Sequence, residues 1–281
     1  MSKKVWFITG ASRGLGKALA VELLSQNYCV VMTARKSTSL KEFSNNENVL
    51  LLDLDVTNQQ QVRQAVKKTI EKFGRIDYLV NNAGYGLFGS IEETNEADAR
   101  ALFETDFWGL SDLTRVVLPV MRKQKSGHFI NVSSIGGLTT FPAFGYYHAV
   151  KFAVEGFSQS LAQQVNPLGI KVTLVEPGAF RTDWAGNSAV KESVKINDYQ
   201  NTVGANIAAS TRTVDSKPGN PALAAKAIVK AVTADPSPLH LVLGNDALAN
   251  AHTQIDQELE DLDTWKDLSQ HTDFGSESFW K

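Results

Sequence analysis

Ser134, Tyr147 and Lys151 place a hydroxyl, a phenol and an ammonium within one short stretch of this chain. Tyr147 and Lys151 are four apart, so on a helix they lie one turn apart on the same face, where the ammonium acts on the phenol electrostatically. Of the six tyrosines, only Tyr147 has a lysine four residues later. A free phenol has a pKa near ~10, and a neighbouring cation favours its ionised form. A tyrosine handled in this way is an acid–base group usable near neutral pH. The same spacing also describes an ordinary solvated helix face, so the choice rests on the elements that would position the pair.

Those elements start at the amino end. Val5 to Thr9 is a short apolar run leading into Gly10-Ala-Ser-Arg-Gly14-Leu-Gly16, and Lys17 to Gln26 has helical periodicity. The pattern is strand, tight turn, helix. Glycines at 10, 14 and 16 admit a ligand close to the backbone, and the helix N-terminus beyond them favours a phosphate. The turn reads either as a phosphate cradle or as a tight connection, because Gly-x-x-x-Gly-x-Gly differs from the Gly-x-Gly-x-x-Gly dinucleotide fingerprint.

Tyr28 to Ala34 is the next buried run. At its end, where a carboxylate would hold a ribose 2′-hydroxyl, the chain reads Ala34-Arg35-Lys36. Arg35 together with Arg13 suits a 2′-phosphate, which favours NADP(H) over NAD(H), unless both are plain surface cations. Val49 to Leu52 starts a third strand, and Asp55 beyond it either caps the following helix or faces an adenine amino group. Ile76 to Val80 leads into Asn81-Asn82-Ala83-Gly84, a floor suited to a ribose or a simple turn. Residues 96 to 123 are expected to be helical, with Pro119 bending the path. Phe129 to Val132 precedes Ser133-Ser134, the helix carrying Tyr147 and Lys151 runs to Pro167, and Ile170 to Val175 precedes Glu176-Pro177-Gly178.

Strands alternating with helices in this way predict an α/β fold, a doubly wound parallel sheet with helices on both faces and a seventh strand at Leu239 to Leu243. In such sheets ligands bind at the carboxyl ends of the strands. The glycine turn, Arg35, Asp55, the Asn-Asn-Ala-Gly run, Ser134 and Pro177-Gly178 each fall at one of those ends. Independent coincidences at so many strand ends are improbable, and the functional readings gain together.

At this point the chain resembles the short-chain dehydrogenase/reductase family, through Thr9-Gly10-x-x-x-Gly14-x-Gly16, Asn81-Asn82-Ala83-Gly84, Ser134, Tyr147-x-x-x-Lys151 and Pro177-Gly178-x-x-x-Thr182, over roughly residues 4 to 245. Within the family, Val132 to Glu155 and Ile170 to Thr182 look most like the hydroxysteroid and retinol dehydrogenase-like branch. The resemblance implies that Ser134 orients a carbonyl, Tyr147 transfers the proton, and Lys151 lowers the phenol pKa while binding the nicotinamide ribose. It implies a cofactor-binding set of Gly10, Ser12, Arg13, Gly14, Leu15, Gly16, Arg35, Asp55, Val56, Asn82, Ala83, Gly84, Tyr147, Lys151, Pro177, Gly178, Phe180 and Thr182. It also implies a homodimer or homotetramer built on the helices around residues 100–123 and 147–165. One departure stands out: where the family has a fourth catalytic residue, an asparagine, this chain has Asp106. An aspartate can substitute if the position acts through a helix kink and a backbone carbonyl that holds a relay water, but not if the side-chain amide is needed.

Composition bounds the alternatives. With 281 residues, 43% hydrophobic and 21% charged, the chain can bury a full core. A net charge of −2, with no basic block, withholds the electrostatic footprint of nucleic-acid binding. Cys29 is the only cysteine, an inert strand thiol by its apolar neighbours, so an internal disulfide is excluded and a cytoplasmic location is expected. No apolar run approaches membrane-spanning length, and the run near the start is too short for a signal-peptide core. The histidines at 128, 148, 240, 252 and 271 lack metal-ligand spacing, so no metal is expected, and His148 is read as structural.

Residues 1–245 read as the dinucleotide-binding domain, with a substrate lid over about 183–217, and 246–281 as a C-terminal helical extension whose stripe of Ile255, Leu259 and Leu262 packs on the body or meets another subunit. Tyr85, Leu87, Phe88, Leu138, Phe141, Phe144, Tyr146 and Trp184 are expected around the reacting centre, pointing to an uncharged, lipophilic carbonyl or alcohol substrate. The expected activity is NADP-dependent interconversion of a carbonyl and an alcohol. The rival is a catalytically silent NADP-binding protein that regulates or scaffolds a partner, against which the intact Ser134, Tyr147 and Lys151 weigh.

Overall fold

Every residue of β1 (Val5–Ile8) is buried, and its neighbours in sequence look in opposite directions. Val5 and Phe7 pack with Val62, Leu113, Val117 and Leu161 on one side, while Trp6 and Ile8 pack with Leu19, Leu23, Ile228 and Val229 on the other. A strand apolar at every position has to be covered on both faces, which is the condition for a parallel sheet between two helical layers.

The computed structural model describes residues 3–186, 188–211, 214–276 and 278–280. After β1 come α1 (Gly14–Ser25), β2 (Cys29–Ala34), β3 (Val49–Asp53), α2 (Gln59–Phe73), β4 (Tyr78–Asn81), β5 (Leu87–Phe88), α3 (Glu96–Phe103) and α4 (Gly109–Gln124). They are followed by β6 (Gly127–Val132), α5 (Gly145–Val165), β7 (Ile170–Pro177), β8 (Val190–Lys191), α6 (Ala205–Ser210), α7 (Pro221–Val232), β9 (His240–Leu243), α8 (Asn245–Thr264) and α9 (Lys266–Gln270). Seven strands form one sheet in the order β3-β2-β1-β4-β6-β7-β9, all paired in parallel. The order reverses between β1 and β4, and a crevice opens there at the strands' carboxyl ends. The expected seven-stranded, doubly wound architecture is the observed one.

The helical run expected over 96–123 is interrupted by a π-turn at Glu104–Trp108, and Pro119 lies within α4. One expectation is corrected. The helix from Asp246 does not lay its stripe on the body: Ala247 and Ala251 pack with Ile135, Leu138, Phe141 and Val242, whereas Ile255, Leu259 and Leu262 are exposed. The sheet ends at β9, so only the start of α8 has a neighbour to bury against. The described residues of the 183–217 segment form short turns, short helices and β8, which ties them to the body by pairing with β5.

Thr9 fastens the crevice. Its Oγ1 accepts the N–H groups of Asn82 and Ala83, both at 2.9 Å, and Asn82 Nδ2 donates back to the carbonyls of Thr9 and Gly10. The end of β1 and the loop after β4 are thereby fixed to each other. Thr9→Val keeps the volume but strands two amide donors, and is expected to cost about 2 kcal/mol, read as a lower denaturation midpoint at unchanged slope.

Candidate active site

A cleft of about 1140 Å³ runs along the carboxyl ends of the strands, larger than a single small ligand needs. At one end the turn after β1 has left-handed backbone at Gly10 (φ +65°) and Gly14 (φ +56°), where side-chain-bearing residues are strained. A Cβ on Gly10 would come within 3.1 Å of the Ala83 Cα. The helices α2 and α3 have their first-turn N–H groups bound by Asn58 and Asn95. By contrast α1 begins at Arg13 with no side-chain cap, and Gly10, Ser12, Arg13, Gly14 and Leu15 line the cleft beside it. Free amide donors at a helix N-terminus, on a backbone that a ligand can approach closely, fit a pyrophosphate. The dinucleotide implied by the turn therefore fits the residues present.

Arg35 lines the cleft beyond β2 and is exposed. The carboxylate nearest in the sheet is Asp53, paired in register with Ala34, but its Oδ1 accepts the Ser37 N–H at 2.6 Å and it does not line the cleft. Asp55 and Val56 do line it. Asp55 is not the helix cap, since that position is filled by Asn58. Its Oδ1 instead accepts the Thr57 N–H and hydroxyl, which closes the turn before α2. Asn82, Ala83, Gly84, Pro177, Gly178, Phe180 and Thr182 line the cleft as expected. Gly16 does not: it lies behind the turn, where a Cβ would fall 2.5 Å from Asn82 Nδ2 and 2.6 Å from the Gly10 carbonyl oxygen, so its smallness serves packing.

Ser134, Tyr147 and Lys151 converge on the other half of the cleft. Ser134 Oγ accepts the Gly136 N–H at 3.0 Å, so its own proton is free to donate. His148 holds this turn: its Nδ1 faces the Gly136 carbonyl at 2.8 Å, and its Nε2 accepts the Phe141 N–H at 2.8 Å. An Nε2 that accepts must be unprotonated, which leaves Nδ1–H as the donor and the ring neutral, in keeping with a pKa lowered by burial. The structural reading of His148 holds.

Lys151 Nζ lies 5.5 Å from the centre of the Tyr147 ring and 3.3 Å from the Val132 carbonyl. Its ion-pair partner is Asp106, whose Oδ2 lies 3.1 Å away with a wholly buried side chain. The π-turn turns Asp106 inward, Tyr85 N–H donates to its Oδ1 at 3.0 Å, and Gly84 leaves the room, since a Cβ there would sit 2.7 Å from Oδ2. Asp106, at the place of the family's fourth catalytic residue by resemblance, lies at a break in the helix with its carboxylate on Lys151, and it is absent from the cleft wall. Burial pushes the Asp106 carboxyl up, against the pull of Lys151 and the Tyr85 N–H. Burial pulls Lys151 down, but Asp106 and Tyr147 outweigh it and the ammonium is held above its usual value. The ammonium at 3.1 Å favours the ionised carboxylate, and the two groups form one buried ion pair.

Tyr147 differs from the expectation of a depressed phenol. Burial raises its pKa, Lys151 and the hydrogen bond to Ser134 lower it, Asp106 raises it again, and the net shift is upward. The phenol thus stands protonated beside a permanent cation, poised to give a proton. Among the residues expected around it, Tyr85, Phe141, Phe144 and Trp184 line the cleft, with Trp184 5.0 Å from the Tyr147 ring centre. Leu87 and Phe88 are core instead, and Leu138 and Tyr146 lie off the wall. Asp246 and Asn250 from α8 and Asn206 and Ser210 from α6 line it without having been expected, and no local pattern marks them. Asp246 also fixes the Pro177-Gly178 loop, accepting the Ala179 N–H at 2.9 Å.

Comparison with known proteins gives the same outline. A family model described as short chain dehydrogenase matches residues 4–193. A 3-ketodihydrosphingosine reductase of Bacteroides thetaiotaomicron is 43% identical over 198 residues, 70% of this chain and 72% of that protein. A solved short-chain dehydrogenase from Streptomyces avermitilis superposes with a TM-score of 0.91 at 39% identity, covering 97% of this chain and all of that one. ElxO, solved with NADP bound, gives a TM-score of 0.72 at 31% identity, covering 88% and 99%.

Removing the Asp106 carboxylate would leave the ammonium of Lys151 buried and unpaired. Asp106→Ala is expected to cost about 3 kcal/mol or more, and Asp106→Asn, which keeps one acceptor oxygen but must turn its NH2 toward either Lys151 or the Tyr85 N–H, somewhat less; paired denaturation midpoints check the order.

Proposed function

The chain belongs to the short-chain dehydrogenase family, and on that footing we propose that it interconverts a carbonyl and an alcohol on an uncharged, lipophilic small molecule, preferring NADP(H) to NAD(H). It is an NAD(P)-dependent oxidoreductase. The observation that carries the proposal is the grouping of a free-to-donate Ser134 hydroxyl, a protonated Tyr147 and a paired, charged Lys151 on one wall of a dinucleotide-sized cleft. The same grouping weighs against a silent binding protein.

A nicotinamide bound in the cleft supplies or accepts the hydride. Tyr147 gives its proton to the carbonyl oxygen, and Ser134 donates a hydrogen bond to the same oxygen and fixes its direction. As the proton leaves, Lys151 stabilises the phenolate, and Asp106 keeps Lys151 charged and in place. In the oxidative direction the steps reverse.

Cofactor preference rests on Arg13 and Arg35, both on the cleft wall, with no carboxylate of β2 or β3 facing them. Two guanidinium groups match a phosphate monoester. That ElxO binds NADP supports the reading. Substrate character rests on Tyr85, Phe141, Phe144 and Trp184 around Tyr147. The cations on the wall nearby are engaged, Lys151 with Asp106 and Lys217 with the Ser210 carbonyl at 2.9 Å, while Asp183 and Asp246 disfavour an anionic substrate. A relative named as a 3-ketodihydrosphingosine reductase supports a keto substrate. Residues 183–217 are proposed as the lid over this half, with Trp184, Ser188, Val190 and Asn206 on its inner side.

With NADPH and a homologous series of ketones, kcat/KM is expected to rise with chain length as apolar surface is buried, and Tyr147→Phe is expected to abolish turnover while NADPH affinity stays near the parent value. A flat series removes the lipophilic pocket; an active Tyr147→Phe removes the mechanism. Arg35→Asp is expected to turn a preference for NADPH of roughly tenfold or more into one for NADH, as read by titration calorimetry with both cofactors.

A further inference from the structure

Between α5 and the β7–β9 edge of the sheet, off the cleft wall, two carboxyl groups are buried together. Glu155 of α5 is 4% exposed and Glu176 of β7 is 0% exposed. The register pairs Leu174 with His240 and Glu176 with Val242, so Glu176 and His240 project from the same sheet face, the one Leu174 shares with Val154 of α5. His240 Nδ1 lies 2.6 Å from Glu176 Oε1 and 3.8 Å from Glu155 Oε2. Among the described residues, no other three His, Cys, Asp or Glu side chains bring ligand atoms within 4.8 Å of one another.

The polar atoms of this cluster lack partners. Both Glu155 oxygens and Glu176 Oε2 are buried without a donor in hydrogen-bonding geometry. The Ser133 hydroxyl beside Glu155 and the Leu241 N–H beside Glu176 can serve at most one oxygen each, which leaves a Glu155 oxygen bare. Nor is the charge met: a protonated His240 answers one carboxylate, and the Lys151 ammonium that acts on Glu155 is already paired with Asp106. Two arrangements make the cluster neutral, a proton shared by the carboxyl groups beside a charged His240, or a divalent cation beside a neutral one.

We propose that Glu155, Glu176 and His240 bind a divalent transition-metal ion of the zinc class, held by Nδ1 and one oxygen of each carboxylate, with a fourth position open to water. Ligands on a tetrahedral zinc stand about 3.3 Å apart, a value that the 2.6 and 3.8 Å separations bracket, so seating the ion takes shifts of about 0.5–0.7 Å. The imidazole gives its Nδ1 proton to solvent as the metal–nitrogen bond forms, and the two carboxylates then cancel the charge of the ion. A nitrogen donor in the set selects against magnesium and calcium, which take oxygen. Entry is open, since β9 is the edge strand and the His240 side chain is 41% exposed. Spacing along the chain gives no such site, because its ligands come from a helix and two strands and meet only through the β7–β9 register. The bound ion ties the edge strand to α5, the helix of Tyr147 and Lys151, whichever reaction the cleft performs.

The tag-free full chain, stripped with chelator and titrated with zinc chloride, is expected to bind one ion per chain with a Kd of about 10 μM or tighter. Saturating zinc is expected to raise the thermal midpoint by about 5 °C. Glu155→Gln, Glu176→Gln and His240→Ala are each expected to weaken binding roughly tenfold or more and to remove the midpoint shift, while His252→Ala, at an exposed histidine of α8, leaves both unchanged. Cobalt(II) in place of zinc is expected to give the visible absorption of a four-coordinate ion, lost in His240→Ala, a readout that stands even where a buried glutamine variant fails to fold. A Kd weaker than about 10 μM overturns the site and leaves the carboxyl groups sharing a proton. Binding that survives the substitutions at 155, 176 and 240, or a preference for magnesium or calcium over zinc, overturns it equally.

Discussion

A single buried charge organises the centre of this molecule. The ammonium of Lys151 sits on a helix packed against the sheet, with its side chain 8% exposed, where an isolated cation would lose its charge or unfold its surroundings. Asp106 removes that difficulty at 3.1 Å, and several otherwise separate features exist to bring it there. The π-turn between α3 and α4 swings the carboxylate inward, Gly84 leaves it room, and the Tyr85 N–H takes the oxygen that Lys151 does not. The pair then fixes the loop after β4, the break between two helices and the face of α5 relative to one another. A permanent cation in a dry site is also the condition under which a phenol can lose a proton and recover it.

The sheet supplies the rest of the constraint through Thr9. One hydroxyl accepting two amides joins the end of β1 to the loop after β4, so the glycine turn and the floor of the cleft cannot drift apart. The strand order reverses there, and the topology alone would leave a gap. The threonine converts that gap into a wall of fixed shape, against which a dinucleotide's two halves can be registered.

Much of this was legible from residue types and spacing, because a parallel sheet covered on both faces writes itself as continuous apolar runs ending in small or polar residues. Val5 to Thr9, Tyr28 to Ala34 and Phe129 to Val132 announce both strand and cleft edge. The pairing of Tyr147 with Lys151 was legible as helical spacing. The orientation of Asp106 was not, since a π-turn arises from how two helices meet and leaves no periodic mark in Glu104–Trp108. Nor was the exposure of Ile255, Leu259 and Leu262, because an apolar stripe says that a face seeks cover and not whether a neighbour is in reach. Leu87 and Phe88 were misplaced for a related reason: sequence proximity to the cleft loop cannot separate the strand that is buried from the turn that is not. The convergence of Glu155, Glu176 and His240 depends on β7 and β9 being neighbours with a given register, which no local pattern encodes.

The cleft divides its labour along the sheet. Beyond β1, β2 and β3 its wall is backbone amide and guanidinium, groups whose positions follow from strand ends and a helix N-terminus. Beyond β4, β6 and β7 the chemistry is likewise anchored, by Ser134 at a strand end and by Tyr147 and Lys151 on a helix, but the aromatic surround comes from segments outside the main sheet: Tyr85 from one loop, Phe141 and Phe144 from another, Trp184 from the segment held by β8. Loops carried by a rigid scaffold tolerate change that strands do not. On the proposed reading, the reacting groups are carried by elements that the core cannot release, whereas the groups around the substrate are carried by elements that the core merely supports. This is why residue types and spacing reach the reaction class of this chain more firmly than its substrate.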